Sequence, residues 1–338
     1  MMKILTAFLF ISSLCNSQID VIGASQHFDE FFTDAVYFSD KFITPATDAA
    51  AYQASSGWIY TAKKNKFLST SLGIHSNVFF VPNVDRSFVL SNSDFTFLKL
   101  MNGESDTVQS ALGDDKFVRI TDKYGIISVM QPIKTPKGVD SNTIFYPHLS
   151  MSVALWCGIE LLGKYAPKTT IKQGEYEVYG FGIKHNLSQY LPNLELKKIN
   201  ISMALSRSIE NISFDFLEIQ TNIGSLGINR ITGNVKTWQL QTNISKEIGN
   251  FEIMLGSMVN MSDFKYNFVG EKGTSALIIN GLGTQDYFNK RLQGIFKSKI
   301  NAIFEISATY NFRKFYFQSA FAFNKFLNSN LSVNYKFN

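Results

Sequence analysis

Phe304-Glu305-Ile306-Ser307-Ala308-Thr309-Tyr310-Asn311-Phe312 is the stretch on which the fold turns. Apolar side chains fall on every even position and polar ones on every odd position. A strand places successive side chains on opposite faces, so this is a ribbon with one oily and one wet face. The pattern recurs on either side. Phe315, Phe317, Phe321 and Phe323 share a face opposite Gln318 and Asn324, and Leu331, Val333, Tyr335 and Phe337 alternate with Ser332, Asn334, Lys336 and Asn338. Further upstream, Leu149, Met151, Val153, Leu155, Cys157, Ile159 and Leu161 alternate with Ser150, Ser152, Ala154, Trp156, Gly158, Glu160 and Leu162.

Several of these runs reach the roughly nine to eleven residues that a tilted membrane strand needs, against five or six in soluble sheets. Aromatics make up 14% of the chain, with 31 Phe, yet mean hydropathy is only −0.01. A soluble domain gathers its aromatics into apolar blocks; here they are interleaved with polar residues. The expected class is all-β, a transmembrane antiparallel barrel of about 12–14 strands. A secreted β-sandwich is the soluble alternative, and long strands that end in an aromatic argue against it.

Turn signals agree. Gly249-Asn250 separates Val235–Ile248 from Phe251–Met261, Arg313-Lys314 separates the next pair, and Asn328-Ser329-Asn330 precedes the last strand. All seven prolines lie at or before Pro192, as continuous strands require of the region beyond. The stretch 101–145 reads as long loops around one or two strands. With the C-terminus in the periplasm, residues 262–301 must start and end outside. They hold no crossing strand or two, with 273–283 as the start of an extra hairpin.

Lys3 followed by the apolar run Ile4–Leu14 has the form of a signal peptide, too short to span a bilayer. Cleavage is expected between Ser17 and Gln18, in preference to lipidation at Cys15, which Leu14 disfavours. The organisation is then a signal peptide at 1–17, a helical segment at 18–65 and the barrel at 66–338. Within the second part Phe28, Phe31, Phe32, Ala35, Ser39 and Phe42 form a stripe at helical spacing, and Thr44-Pro45 reads as the start of a second short helix. This segment is the expected plug or cap of the barrel.

The net charge of +5 falls to +4 without Lys3, and the basic residues are scattered, so nucleic acid is not an expected partner. Cleavage also leaves Cys157 as the lone cysteine, excluding a disulfide scaffold. Gly180-Phe181-Gly182 and Gly281-Leu282-Gly283 each lack the third glycine of a dinucleotide fingerprint. His27, His75, His148 and His185 are dispersed without a second ligand at metal spacing. No cofactor, metal or catalytic residue is assigned, although a Ser–His pair assembled across a barrel wall would escape such reading. Glu175 and Glu177 project with Tyr179 to one strand face, which a water-filled lumen explains.

Three segments carry a resemblance: Ser56-Gly57-Trp58 with Thr61-Ala62-Lys63; Pro136-Lys137-Gly138-Val139-Asp140 with Tyr146-Pro147 and the Leu149–Lys168 strand pair; and Gly180–Pro192. Together they resemble an uncharacterised family of barrel proteins of Gram-negative bacteria, itself distantly similar to long-chain fatty-acid outer-membrane transporters. Where members have a threonine-rich turn, this chain has Gly158-Ile159-Glu160-Leu161. The resemblance transfers no site residue. It implies an outer-membrane location and, by analogy with the transporters, an N-terminal hatch inside the barrel.

The function expected is passage or binding of small hydrophobic molecules, without enzymatic activity, with Phe28, Phe31, Phe32 and Trp58 lining the path and outer-membrane lipid around it. A structural or adhesive barrel that meets a partner through extracellular loops is the main alternative, and an outer-membrane hydrolase a lesser one.

Overall fold

The computed structural model describes residues 2–125, 132–221, 224–225, 227–270, 278–279 and 282–337, with side chains from His27 onward save those of 28, 220–221, 224–225, 278–279, 282 and 284. Ten antiparallel strands close into one barrel: β1 (Thr70–Phe80), β2 (Thr143–Ala154), β3 (Ile159–Ile171), β4 (Gly174–Asn186), β5 (Ile199–Asp215), β6 (Arg230–Ile248), β7 (Phe251–Val269), β8 (Lys297–Phe312), β9 (Phe315–Phe323) and β10 (Leu327–Lys336). Each pairs with its sequence neighbour, and β1 pairs with β10 from Ser71↔Lys336 to Phe80↔Leu327. Closure leaves no edge strand, so backbone groups in the lipid band are satisfied within the wall, the condition for crossing hydrocarbon.

Alternation sets what faces lipid. On β7, Phe251, Ile253, Leu255, Val259 and Met261 point outward and Glu252, Met254, Met258 and Asn260 inward. From Phe251 to Met261, at about 3.3 Å rise per residue and a tilt of roughly 40°, the apolar band stands about 25 Å tall. Above Met261 the outward positions become Asp263, Lys265 and Asn267, so the wall continues into water. The strands are unequal: β6 and β7 have 19 residues each, β9 and β10 only nine and ten. The result is a tall wall on one side and a low rim on the other.

Connections at the end holding Gly249-Asn250 and Arg313-Lys314 are mostly tight, while 81–142, 216–229 and 270–296 join strands at the opposite end. Short turns face the periplasm and long loops the exterior in such barrels. The outer 81–142 segment carries its own ribbons, Ser87–Ser91 with Ser105–Gln109, and Leu98–Leu100 with Arg119–Asp122 and Ile133–Lys134.

Helix α1 (Met2–Ser55) runs down into the barrel from this outer cap. Asp29 meets Arg291 in the outer helix α2 (Thr284–Leu292), Asp34 meets the 96–98 loop, and Asp48 meets Lys299. Ser55 lies against Asn260, and Lys63 reaches Glu247 at the periplasmic end.

Several expectations are corrected. The barrel has ten strands rather than about 12–14, because strands are longer than their apolar bands and 81–142 folds above the wall. The second helix expected at Thr44-Pro45 is not separate, since Pro45 sits inside α1. The interrupted turn includes exposed Lys41, whose carbonyl loses its donor, while Phe42, Ile43 and Ala46 hold the turn by packing. The alternation across 149–161 is broken at Leu155–Gly158, where Cys157 (φ 54°) and Gly158 (φ 69°) turn the chain left-handed. Asn328 and Asn330 lie within β10, facing the lumen, and the turn is 324–326 instead. Glu175 and Glu177 face outward above the lipid band, because Tyr176 and Val178 take the inward positions against the core. Of the expected hairpin at 273–283, residues 273–277 and 280–281 lie outside the described residues. The rest includes a two-residue ladder, Ile278↔Gly283 and Ile279↔Leu282, outside the barrel sheet.

Candidate functional site

The last four carbonyls of any helix lack partners within it. Those of α1 fall inside the lumen, and the barrel wall supplies the donors. Lys164 Nζ on β3 donates to Gln53 O (3.2 Å), Ala54 O (3.1 Å) and Ser56 O (2.6 Å). A cation is thus fixed at the negative end of the helix. Gln239 on β6 donates to Ser55 O, and Asn260 on β7 to Ser55 Oγ at 2.6 Å. Gly57, at φ 74°, then turns the chain into an extended strap, residues 56–65.

The strap is held backbone-first. Gln318 donates to Ile59 O and Thr309 to Tyr60 O. Glu252 accepts from Thr61 Oγ1 (2.6 Å), Ala62 N (3.0 Å) and Ser245 Oγ (2.6 Å). Lys184, 2% exposed, pairs with Glu160 at 2.5 Å and donates to Thr61 O, while Asn186 donates to Ala62 O. Strands β3, β4, β6, β7, β8 and β9 all contribute, so the strap spans the lumen from wall to wall. Glu210 Oε1, Glu305 Oε2, His148 Nε2 and Asn260 Oδ1 are buried here without a protein partner.

Above the strap the interior turns apolar. Phe31 and Phe32 pack edge-on against Phe288 of α2, with ring centroids 6.0 and 4.1 Å apart. Phe38 and Phe42 meet Phe216 of the 216–229 loop, and Phe42 also meets Phe214 of β5. The Asp34 carboxylate accepts the backbone N–H groups of Thr96, Phe97 and Leu98 (2.8, 2.7 and 2.7 Å), tying the outer ribbons to the helix.

Of the residues expected to line a path, Phe31 (5% exposed) and Phe32 (1%) are packed into this seal. Trp58 belongs to a separate cluster at strap level, its ring against Gly180 and 5.5 Å from Lys164 Nζ. The structure therefore separates Trp58 from the phenylalanines. The side chains of Phe28, Ser17 and Gln18 lie outside the described residues. The sequence reading missed Lys164, Glu160, Lys184 and Glu252. The available signal was a charge on the wet face of a strand whose other face is oily.

A hydrogen-bond chain runs along the low rim of the wall. Ser150 Oγ lies 2.8 Å from His75 Nε2, and His75 Nδ1 lies 3.3 Å from Asn330 Oδ1. Asn330 donates to Asn77, which contacts His148 Nδ1 at 2.8 Å, and the two imidazoles stack at 4.3 Å. This has the order of a nucleophile, base and orienting amide. The adjoining cavity, lined by Trp58, Ile59 and Tyr60, measures about 10 Å³, room for one water and not for an acyl substrate. Among the described residues no three His, Cys, Asp or Glu side chains converge to hold a metal ion.

The sequence matches, over residues 1–337, a family described as a family of unknown function, DUF6588. The chain belongs to that family. Curated proteins gave no match. Among solved structures, the translocator domain of the autotransporter NalP from Neisseria meningitidis is 9% identical, covering 89% of this chain and 99% of its own, with a TM-score of 0.33. The COG4313 outer-membrane channel from Pseudomonas putida F1 is 10% identical, covering 81% and 97%, with a TM-score of 0.33. The Yersinia pestis attachment invasion protein Ail, solved with a heparin analogue, is 7% identical, covering 80% and 100%, with a TM-score of 0.27. The closed barrel with its lipid-facing band makes this DUF6588 protein an outer-membrane barrel.

Proposed function

We propose that the barrel is a gated passage for small molecules, closed by the strap and opened by its withdrawal from the wall. The observation that carries this is the contrast between the two seals. At strap level the wall grips backbone atoms through Lys164, Glu252, Lys184, Asn186 and Gln318, groups that water rehydrates when the strap leaves. Each such hydrogen bond exchanges for one with water, so its net contribution is modest and the seam suits a part that must let go. The aromatic collar around Phe31 and Phe32 lies outside this polar seam, and its apolar surface, once parted, favours a hydrophobic cargo. Export by cleavage after Ser17 belongs to the same reading.

The test is conductance in planar bilayers of the wild type against the Lys164→Met, Glu252→Gln double variant. Wild type should be nearly silent and the variant conducting. A variant that assembles, judged by heat-modifiable migration, and stays silent would sink the gate.

The outer ribbons within 81–142, docked on Asp34, favour a second reading in which the barrel displays a binding surface to the exterior. Removing 83–141 should then abolish partner binding and leave solute uptake unchanged.

A further inference from the structure

The outer face of the tall wall changes character rung by rung. Ile183, Leu205, Leu240 and Val259 on β4–β7 form an apolar row. Above it come Phe181, Arg207, Trp238 and Met261, then Tyr179, Ile209, Lys236 and Asp263, then Glu177, Asn211, Asn234 and Lys265. Arg207 stacks on Trp238, its guanidinium 5.2 Å from the ring, at the top of the lipid band. From there Lys236 stands one rung higher on the next strand, and Lys265 one rung higher again on the strand after. Diagonal neighbours of this kind lie roughly 7 Å apart. Among the described residues none of the three has an ion-pair partner. Asp263, opposite Lys236, instead accepts from Ser298.

This diagonal of cations leads into an open groove of about 570 Å³ on the outside of the wall, above the lipid band. Glu177, Asn211, Asn234, Thr232 and Asn267 line it. Its remaining charges are already matched, with Glu175 held by Lys168 (2.8 Å) and Arg230 (3.1 Å). Amides, hydroxyls and the Glu177 carboxylate, which has no ion-pair partner among the described residues and accepts from Asn211 at 3.4 Å, are the chemistry that receives sugar hydroxyls. Arginine and lysine at the interface are the chemistry that receives phosphate. The apolar rows beneath receive acyl chains.

We propose that this panel of β4–β7 is a binding site for a phosphorylated glycolipid of the outer leaflet, its acyl chains on the lower rows, its phosphate on Arg207, Lys236 and Lys265, and its saccharide in the groove. One molecule matches all three zones in vertical order, as neither a soluble sugar phosphate nor a simple anionic phospholipid does. The site lies outside the wall and is independent of the strap.

The experiment uses the full barrel in detergent, titrated with a diphosphorylated diglucosamine glycolipid and read by the shift in thermal unfolding. The Arg207→Gln, Lys236→Gln, Lys265→Gln variant should bind about tenfold or more weakly. Arg313→Gln, Lys314→Gln at the periplasmic turn should bind as wild type. Asn211→Ala, Asn234→Ala, which leaves every charge, should weaken the glycolipid and leave phosphatidylglycerol unchanged. Heat-modifiable migration checks that each variant is folded. Undiminished binding by a folded triple variant would overturn the site. So would equal affinity for phosphatidylglycerol, meaning charge alone, or equal affinity for the deacylated headgroup, meaning a soluble ligand.

Discussion

Gly180 faces the lumen on β4, and a Cβ there would sit 2.8 Å from Cη2 of Trp58 and 2.8 Å from the Arg207 carbonyl. Its missing side chain is the slot for the indole. Gly180→Val should therefore displace Trp58, at a cost of about 1–3 kcal/mol typical of overpacking. With Trp156 and Trp238 changed to Phe, the emission of Trp58 should shift red. Unchanged emission would mean that the strap does not depend on this slot. A second residue-scale expectation concerns pH. Arg86 bonds Asp114 and also donates to Ser141 O and Asn142 Oδ1, joining the two ends of the outer segment. The guanidinium holds the Asp114 carboxyl below the usual carboxylate range. A depressed folded pKa means that the stabilisation is present above the unfolded value near 3.9 and is lost as pH falls through the folded one. Protease resistance of 81–142 should thus hold at neutral pH and weaken below about pH 4. Arg86→Ala should flatten most of that dependence, leaving the share of Lys116, 3.6 Å from the same carboxylate; an unchanged dependence would assign it elsewhere. Little of this was legible beforehand. The period-two pattern gives Lys164 and Glu252 a face, but not the helix end or strap backbone that they grip.

At the scale of elements, Asp34 joins α1 to the outer ribbons through three N–H groups. Asp34→Ala leaves the Phe97 and Leu98 donors buried and unpaired, a loss of about 2 kcal/mol or more. Surface protease on intact cells should then cut 81–142 faster while the barrel migrates as wild type. If cutting is unchanged, other contacts hold the ribbons. The strands themselves were readable because alternation is a local signal: the 304–312 and 315–323 patterns, and all of the 331–337 pattern but Phe337, fall on wall strands with the expected face outward. The misreadings came where a local signal is overridden or absent. Pro45 is a start signal in isolation, but packing at Phe42, Ile43 and Ala46 carries the helix through it. The 155–158 turn kept the alternation while reversing the chain, so pattern alone hid it. Asn328-Ser329-Asn330 looks like a turn, yet the lumen is where asparagines pair with Tyr146, His75 and Asn77.

For the whole molecule, β7 and β8 pair up to Phe264↔Lys297, with no wall strand between them among the described residues. Residues 262 and 301 thus share one end, as the parity of crossings required. Two side chains at that end differ in direction: Asp263 faces out, while Lys299 turns inward to Asp48 at 2.6 Å. In a Cys157→Ser background, Asp263→Cys should react on intact cells with a membrane-impermeant maleimide, and Lys299→Cys far more slowly. Silence at position 263 would reverse the orientation of the barrel.

The downward course of α1 has a consequence for how the molecule is built. Residue 29 rests among the outer loops while residue 65 sits at the periplasmic mouth, so the polypeptide passes once through a ring that its own later part forms. A finished ring cannot be threaded by a segment already covalently joined to it unless that segment slips through as a bare chain. The simpler order is wrapping: the nascent sheet curls round the helix, and the seam between β1 and β10, the pairing most distant in sequence, zips last. A rigid cargo attached ahead of residue 18 would then have to clear the seam before it shuts. An N-terminal fusion to a fast-folding domain should stall with the seam open, and the same fusion to an unfoldable variant of that domain should let it close. A disulfide engineered between β1 and β10 would report which happened.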